Sequence, residues 1–388
     1  MAENVAIVGI GQTRHGHRDD VSYPELVREA VTACLADAKI EPGRIQAVVS
    51  GSMPAPMEGV DAPELWLSDA MLPGPSPLMR VATCGSTGIS VAQTAYYHVA
   101  SGVYDLVLAV GMEKMYQGDP QGAMSTIADP VFQRAFLAGA PGAIALQSYE
   151  YIKACPVPEQ RVREAAARIS VRNHSAAFDN PYAHIKLQIT VDDVLNSRIV
   201  CYPLHLLDIC PGSDGACAVL FANAARAKEL CDRPAWVKGL GYAGDEYWMG
   251  DKDLAHWESA RVAAARAYRM AGITDPVEQL DVAEVYNPFT FQEMIFYECF
   301  DFCPPGRAFE FVESGASERT GQLPCDPSGG VLCTNPIGAT ALLRVAEAAL
   351  QVMGKAGAHQ VPGADTALAH GWGGAVQFNG VMILSATL

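Results

Sequence analysis

The sequence repeats one order of predicted elements in its two halves, and this duplication constrains the fold more than any single motif. The first half is predicted to form strands over Val5 to Ile10, Ile45 to Ser50 and Asp105 to Gly111, and helices over Tyr23 to Ala38 and from a turn at Cys84 to Gly102. The second half is predicted to form strands over Trp236 to Gly241, Leu280 to Tyr286, Thr366 to His370 and Ala375 to Ser385, and helices near Leu254 to Met270 and over Asn335 to Met353. Apolar strands that alternate with amphipathic helices indicate an α/β fold, and the duplication predicts two such layers about a pseudo-twofold axis. In that arrangement the turns before the two long helices face one cleft.

The segment from Tyr116 to Cys231 breaks this rhythm. It contains a stretch rich in Pro, Ala and Gly from Asp129 to Gly142, followed by a mixed-charge helix around Glu159 to Asn173. An insertion of this size more often covers a ligand than forms a separate domain. We therefore predict an N-terminal half over 1–115 with 210–230, a loop or lid insertion over 116–209, and a C-terminal half over 231–388.

Composition limits the classes of function. At 388 residues and 50% hydrophobic, the chain can bury a large core. Its 11 cysteines are odd in number and form no CxxC pair or Cys/His cluster at zinc spacing, so we expect reduced thiols, no structural metal and a cytoplasmic enzyme. The N-terminus has no basic leader, and no apolar run reaches membrane length. A net charge of −16 opposes contact with nucleic acid or anionic membranes, which favours a small-molecule site or a protein partner.

One turn, 82–88, carries a candidate nucleophile. It places Cys84 between an apolar lead-in and a predicted helix. Free N–H groups and the positive end of a helix dipole would stabilise a thiolate there. The alternative is a small buried residue that fills a tight turn, which is the usual role of a cysteine.

Further segments in this order resemble the thiolase superfamily, specifically its sterol-carrier-protein-2-like branch. They are the turn 82–88, the segments 108–115, 210–216, 284–289, 327–330 and 335–340, and the glycine-rich segment 370–374. The resemblance implies a thiolase fold, in which two duplicated α/β halves pack as αβαβα layers with an inserted loop domain. It also implies coenzyme A as substrate without a permanently bound cofactor, an acyl-enzyme on a cysteine, and a Claisen or retro-Claisen step.

The register of the nucleophile is ambiguous. An alignment without gaps to segment 108–115 puts Gly85 on the family's cysteine position, one residue after Cys84. A one-residue insertion in the turn restores Cys84 as the nucleophile, and this is our prediction. If Gly85 holds that position, the protein has no nucleophile there, as in the retro-aldolases of this branch.

The resemblance also suggests the groups that handle protons and oxyanions. Asn335 stands where thiolases commonly have a histidine; its amide can donate to an oxyanion but cannot transfer a proton near neutral pH. We therefore predict that His370 is the acid/base, with a capped core histidine as the alternative. The backbone N–H of Gly373 is expected to form an oxyanion hole with that of the nucleophile.

Tyr286 ends a predicted strand and stands at the position where the family has Asn or His, and Asn287 lies beside it. Tyrosine is a poor base at pH 7, with an ordinary pKa near 10. It can hydrogen-bond a carbonyl, and Asn287 could orient water or the acyl chain. Packing at the strand end is an equally good interpretation of both. Cys210 and Cys333 lie near motifs and are expected only to pack.

The sequence therefore predicts an acyl-CoA thiolase that cleaves or forms a β-ketoacyl-CoA through Cys84. Loss of the usual histidine, together with Tyr286 and Asn287, indicates a bulky or branched substrate rather than acetoacetyl-CoA. The resemblance suggests benzoylsuccinyl-CoA as such a substrate. The alternatives are an aldolase of the same fold that uses Tyr286 as proton handler, and a non-catalytic lipid-binding or scaffold subunit. A homodimeric core is expected, and the branch implies a separate small zinc-containing OB-fold partner of the DUF35 type.

Overall fold

The computed structural model describes residues 3–54, 57–71, 74–137 and 139–388. Its strands are β1 Val5–Gln12, β2 Ala47–Gly51, β3 Leu78–Arg80, β4 Leu106–Lys114, β5 Ile199–Cys201, β6 Leu204–His205, β7 Asp214–Asn223, β8 Ala235–Ala243, β9 Val282–Glu284, β10 Thr366–Gly373 and β11 Phe378–Ser385. Its α-helices are α1 Tyr23–Ala38, α2 Pro63–Met71, α3 Thr87–Ala100, α4 Pro120–Ser125, α5 Arg134–Leu137, α6 Ala140–Ala154, α7 Glu159–Ala176, α8 Val191–Asn196, α9 Ala224–Leu230, α10 Glu258–Ala271, α11 Pro276–Gln279, α12 Thr290–Cys299, α13 Ala308–Glu313, α14 Gly330–Cys333 and α15 Ile337–Met353.

The strand order contains the predicted duplication. The large sheet runs β3-β2-β4-β7-β1-β8-β11-β10-β9. In each half the first strand (β1 or β8) pairs antiparallel with the last (β7 or β11), the last pairs antiparallel with β4 or β10, and that strand pairs parallel with β2 or β9. A single parallel bridge from Ala283 to Cys325 stands in the second half where β3 stands in the first.

The two halves enclose a central pair of helices. Helices α3 and α15 pack on each other and each contacts strands of both halves, while α1 and α10 cover the outer faces of the first and second halves. The central helices approach so closely at Gly88 that an added Cβ there would lie 2.1 Å from the backbone nitrogen of Leu342. The layers therefore follow the order αβαβα, and the predicted α/β fold class is confirmed.

Local sequence signals account for the ends of the long helices. Ser22 and Glu25 form a capping box at the start of α1. Gly272 ends α10 at φ 74°, and Gly354 ends α15 at φ 70°, both in the left-handed region where glycine has no steric penalty. Packing then buries α3 and α15, whose sequences are rich in small and apolar residues.

Several element boundaries differ from the predicted ones. Strand β9 ends at Glu284, so Tyr286 lies in the loop before α12. Strand β11 begins at Phe378 because Gly374 and Val376, at φ 76° and 57°, form a turn. The segment 116–209 forms α4 to α8 and the β5–β6 hairpin, and the predicted domain boundaries stay a prediction. Among the described residues, none of the helices has the length and apolar character required to cross a membrane.

Candidate active site

A cavity of about 350 Å³ opens where the central helices begin. The turn before α3, the loops after β9 and β10, the segment before β7 and helices of the 116–209 insertion all contribute to its wall. Apolar side chains dominate the wall, among them Met53, Met115, Met124, Phe289, Ile337 and Trp372. Of the predicted site residues, the cavity brings together Cys84, Tyr286, Asn335 and Gly373; it does not include Asn287 or His370.

Cys84 occupies a strained turn between β3 and α3. Its φ of 57° lies in the left-handed region, which costs a non-glycine residue roughly 1–2 kcal/mol. The turn is held because the Thr83 amide donates to Thr87 Oγ1 at 2.9 Å and the Thr87 amide donates to the Cys84 carbonyl at 3.0 Å. The half-buried thiol lines the cavity. Such strain persists where surrounding contacts impose it, and it concentrates at functional sites.

The expected acidification of the Cys84 thiol is wrong. Burial raises its pKa above the ordinary value, and the backbone amide of Gly374 offsets only part of this effect. Helix α3 begins at Thr87 with Ser86 as its N-cap, so Cys84 lies outside the first helical turn, within which the dipole acts. The resting thiol is therefore protonated at neutral pH.

Two glycines define the space around this turn. A Cβ on Gly373 would lie 2.4 Å from the Ser86 nitrogen and 2.7 Å from the Gly85 nitrogen. A Cβ on Gly85 would lie 2.7 Å from the Trp372 carbonyl oxygen. A side chain at position 85 would therefore require the backbone to move. Only glycine fits at this position as the turn stands, and the cysteine of the turn that lines the cavity is Cys84.

Asn335, before α15, binds a second cysteine of the cavity. Its Nδ2 donates to Cys210 Sγ at 3.1 Å, and its Oδ1 accepts from Thr340 Oγ1 at 2.9 Å, which fixes the orientation of the amide. Burial raises the pKa of Cys210 to about 12. The expectation that Cys210 only packs is therefore incomplete, because Cys210 is one of the residues that line the cavity. Cys333 is fully buried and packs against other small residues, as expected.

Tyr286 reaches the cavity from the loop after β9. Its hydroxyl lies 3.3 Å from the position of a Cβ on Gly85, beside the nucleophile turn. The ring packs edge-on against Trp372. Burial raises the pKa of Tyr286 far above its ordinary value, and the neighbouring Cys210 raises it further. The phenol is therefore a hydrogen-bond donor rather than a base in this site.

His370 is a satisfied core residue. Its Nδ1 accepts from the Tyr286 amide at 3.3 Å, so its Nε2 carries the proton and donates to Asn379 Oδ1 at 3.0 Å. The ring packs edge-on against Phe296 and Phe300, with centroid distances of 4.4 and 4.9 Å. Burial lowers the pKa of His370 to about 3. The structure does not support the predicted acid/base role, because the ring is uncharged and outside the cavity wall.

Asn287 also has a structural position. Its Nδ2 donates to Glu293 Oε2 at 2.6 Å, and its Oδ1 accepts from the Val331 amide at 2.8 Å. These bonds tie the loop after β9 to α12 and α14. Strand-end packing, one of its two predicted roles, describes this arrangement.

A lysine that the sequence analysis missed holds the turn after β10. Lys252 Nζ donates to the carbonyl oxygens of Ala375 at 3.0 Å and Val376 at 2.6 Å. Val376, a β-branched residue at φ 57°, is a pronounced backbone outlier. Burial lowers the pKa of Lys252 to about 8. No sequence motif marks this lysine, since its partners are backbone atoms more than a hundred positions away.

The ionisable groups of the wall limit its proton chemistry. Among the described residues that line the cavity, they are Cys84, Cys210, Tyr116, Tyr286 and Arg134. Histidine and carboxylate side chains are not part of this described wall. Proton transfer to a bound substrate would therefore involve a thiol or a phenol.

The duplicated layers and the cysteine turn at their cleft define the class of protein. Residues 5–225 match the family described as thiolase, N-terminal domain, and residues 243–386 match the family described as thiolase C-terminal domain-like. The chain belongs to the thiolase family, as its motifs predicted, and coenzyme A is the substrate carrier of this family of acyltransferases.

Particular relatives span nearly the whole chain. The acetyl-CoA acetyltransferase of Methanothermobacter thermautotrophicus is 33% identical over 383 residues and covers 96% of each chain. The benzoylsuccinyl-CoA thiolase subunit BbsB of Thauera aromatica is 28% identical over 378 residues, again 96% of each chain. Among solved structures, the Ltp2-ChsH2(DUF35) aldolase superposes with a TM-score of 0.82 at 25% identity, covering 98% of this chain and 97% of that one.

Proposed function

We propose that this protein cleaves or forms a β-ketoacyl-CoA by acyl transfer through a thioester on Cys84. The observation that carries the proposal is the position of Cys84, a half-buried thiol in a strained turn that lines the cavity, with the Gly374 amide beside its sulfur. The relatives named as acetyl-CoA acetyltransferase and thiolase support the same chemistry.

The proposed reaction begins when the Cys84 thiolate attacks the β-keto carbonyl carbon. Residues that line the cavity would supply the amide donors for the tetrahedral oxyanion: the backbone N–H groups of Gly373 and Gly374 and the side chain of Asn335. Coenzyme A thiol then takes the acyl group from Cys84. Because the pKa of Cys84 is raised, the thiolate fraction and the acylation rate should increase with pH through neutrality and beyond.

The proposed substrate carries a bulky or branched acyl group. The wall combines aromatic rings with the flexible side chains of Met53, Met115 and Met124, which adapt to irregular apolar groups. Arg134 is the one cation among the described wall residues, and it would bind a carboxylate or phosphate of the ligand. Benzoylsuccinyl-CoA, an aromatic β-keto thioester with a free carboxylate, fits this combination and is the substrate named for one relative.

An aldolase is the second candidate. Tyr286 lies beside Gly85, and the described residues of the wall provide phenols and thiols rather than a histidine. The aldolase among the structural neighbours supports this alternative. In that reaction a β-hydroxyacyl-CoA releases an aldehyde or ketone without acylation of Cys84.

We further propose a cytoplasmic protein with a homodimeric core and a separate DUF35-type partner. The edge strand β3 has the half-exposed Met79, and the neighbouring α2 exposes Leu65 and Trp66, which favours association at this edge. The DUF35 protein named in the aldolase structure supports the proposal of a separate DUF35-type partner.

The test is mass spectrometry of the intact protein after incubation with acetyl-CoA, succinyl-CoA and benzoyl-CoA, followed by peptide mapping. The expected result is an acyl adduct on Cys84 that disappears in Cys84→Ala. Cys201→Ala is the matched control, since Cys201 is a half-exposed cysteine of the β5–β6 hairpin outside the cavity wall. Carbonyl release from a β-hydroxyacyl-CoA without added coenzyme A, retained in Cys84→Ala, would move the assignment to the aldolase.

A further inference from the structure

We propose that Cys210 is a second catalytic residue, which carries the proton to and from the α-carbon of the substrate. This inference rests on the proposed acyl transfer and extends it to the carbon–carbon step. That step leaves an enolate that must be protonated, or in reverse requires removal of an α-proton. The nucleophile cannot supply this proton once it has become a thioester.

The geometry around Cys210 is fixed from two sides. Its backbone amide donates to the Pro288 carbonyl at 2.8 Å, which ties it to the loop that carries Tyr286. The Asn335 amide donates to its sulfur at 3.1 Å and is itself oriented by Thr340. The thiol is thus held at the wall of the cavity that contains Cys84.

The other ionisable groups of the described wall are less suited to this task. Arg134 has a guanidinium, a group that binds anions rather than transfers protons. Tyr116 is exposed to solvent and packs against His17, with a ring centroid distance of 4.3 Å. The pKa of Tyr286 is raised beyond that of Cys210, so its phenol releases a proton less readily. Cys210 is the remaining group.

The proton and electron balance of the step is complete with the reactants of the proposed reaction. The step begins after the Cys84 thiol has released its proton to solvent. When the Cys84 thiolate attacks, the bond between the β- and α-carbons breaks, and its electron pair forms a new C–H bond with the Cys210 S–H proton. The Cys210 thiolate then removes the thiol proton of coenzyme A. The resulting coenzyme A thiolate attacks the Cys84 thioester and releases Cys84 as thiolate, while Cys210 is again a thiol.

Asn335 supports proton transfer by Cys210 better than a histidine at the same position would. Its amide donates a hydrogen bond to the sulfur but cannot accept the proton, so the proton stays available for carbon. When Cys210 is a thiolate, the same N–H···S bond becomes charge-assisted and stronger. Asn335 therefore stabilises the transient state of Cys210 that the cycle requires.

The experiment measures two partial reactions separately. Exchange of the α-protons of acetyl-CoA is followed in D₂O by mass spectrometry, and acylation of Cys84 by acetyl-CoA is followed on the intact protein. For Cys210→Ala we expect a loss of about 10²–10⁴ in α-proton exchange and in carbon–carbon cleavage, the range for a positioned acid or base. Acylation should change by much less. Cys210→Ser tests the chemistry at nearly constant volume and should lose exchange as well, and Cys201→Ala is the matched control.

Each outcome decides the role. Exchange in Cys210→Ala and Cys210→Ser within a few-fold of wild type would overturn it, and so would a parallel loss of exchange and acylation in folded protein, which would make Cys210 a support for Cys84. If wild type forms no adduct on Cys84 but its exchange depends on Cys210, the proton role holds and the acyl transfer is wrong. If wild type shows neither an adduct with acetyl-CoA, succinyl-CoA and benzoyl-CoA nor α-proton exchange with acetyl-CoA and succinyl-CoA, both proposals are wrong.

Discussion

Replacement of His370 separates a structural role from a catalytic one. In His370→Ala the Tyr286 amide and Asn379 Oδ1 each lose their partner, at about 1–3 kcal/mol for each buried unsatisfied group. The space left between Phe296 and Phe300 adds a cavity cost. We expect a total loss of about 3–6 kcal/mol in the free energy of unfolding, measured by urea denaturation at pH 7.

The more conservative His370→Gln should stay folded, and its rate per folded molecule should fall by no more than about tenfold. A positioned acid or base would instead contribute about 10²–10⁴. A well-folded His370→Gln protein of unchanged stability that has lost a factor of this size would refute the structural role and restore the acid/base.

The pH dependence gives an independent measurement. The pKa of His370 is about 3 in the folded protein and near 6.5 when unfolded, so below pH 6.5 only the unfolded chain takes up this proton. The neutral ring therefore contributes stability above pH 6.5 that is lost as the pH falls toward 3. Between pH 7 and pH 5 the loss is about 2 kcal/mol, at about 1.4 kcal/mol for each pH unit below 6.5. The stability gap between wild type and His370→Gln should shrink by this amount, and an unchanged gap would contradict the burial argument.

The remaining predictions concern the nucleophile turn and its supports. Gly373→Ala should lower the free energy of unfolding by about 1–3 kcal/mol and abolish Cys84 acylation, because the new Cβ meets the Gly85 and Ser86 nitrogens. Activity near that of wild type would show that the turn can move to accept the side chain. Lys252→Met should lower the free energy of unfolding by about 1.5–3 kcal/mol in urea denaturation and slow acylation, because two carbonyls lose a charged donor. Lys252→Arg should retain part of the stability and part of the acylation rate. Equal losses in the two variants would contradict the stabilising role of the lysine bonds. Iodoacetamide labelling of Cys84 should accelerate with pH up to and beyond 9, since its pKa is raised, and a rate that levels off below pH 7 would indicate an acidified thiol instead.

The sequence predicts the fold well where the apolar pattern is long. The repeated elements place β1, α1, β4, α15 and β10 within a few residues of their observed bounds because each buries a continuous apolar face. Strand β3 and the Cys325 bridge are too short to produce a periodic signal, and they form only because β2 and β9 offer unpaired edges. Tertiary pairing, rather than local preference, creates these pieces.

Strand alternation explains why Gly373 and His370 have different surroundings. Successive residues of a strand point to opposite faces. In β10, Cβ positions on Gly371 and Gly373 would contact Ile89 of α3 and the turn before it, so this face looks toward the nucleophile. His370 then points to the opposite face, where α12 supplies Phe296 and Phe300. Parity alone does not decide access to the cavity, because Trp372 has the parity of His370 and lines the cavity. The partners of His370, which only the fold supplies, decide its role.

The same reasoning from local pattern to site fails at Cys84 for a different physical reason. A helix dipole acts over the first turn, and a cysteine two residues before the N-cap is beyond it, so burial decides the pKa. What makes Cys84 a candidate nucleophile is instead the left-handed turn, which aims the sulfur into the cavity while Gly85 and Gly373 pack backbone to backbone behind it. Because the described part of the wall has no histidine, the proton of the carbon–carbon step needs another carrier. The sequence contains that residue, Cys210, but only the fold brings it to Asn335 and the cavity.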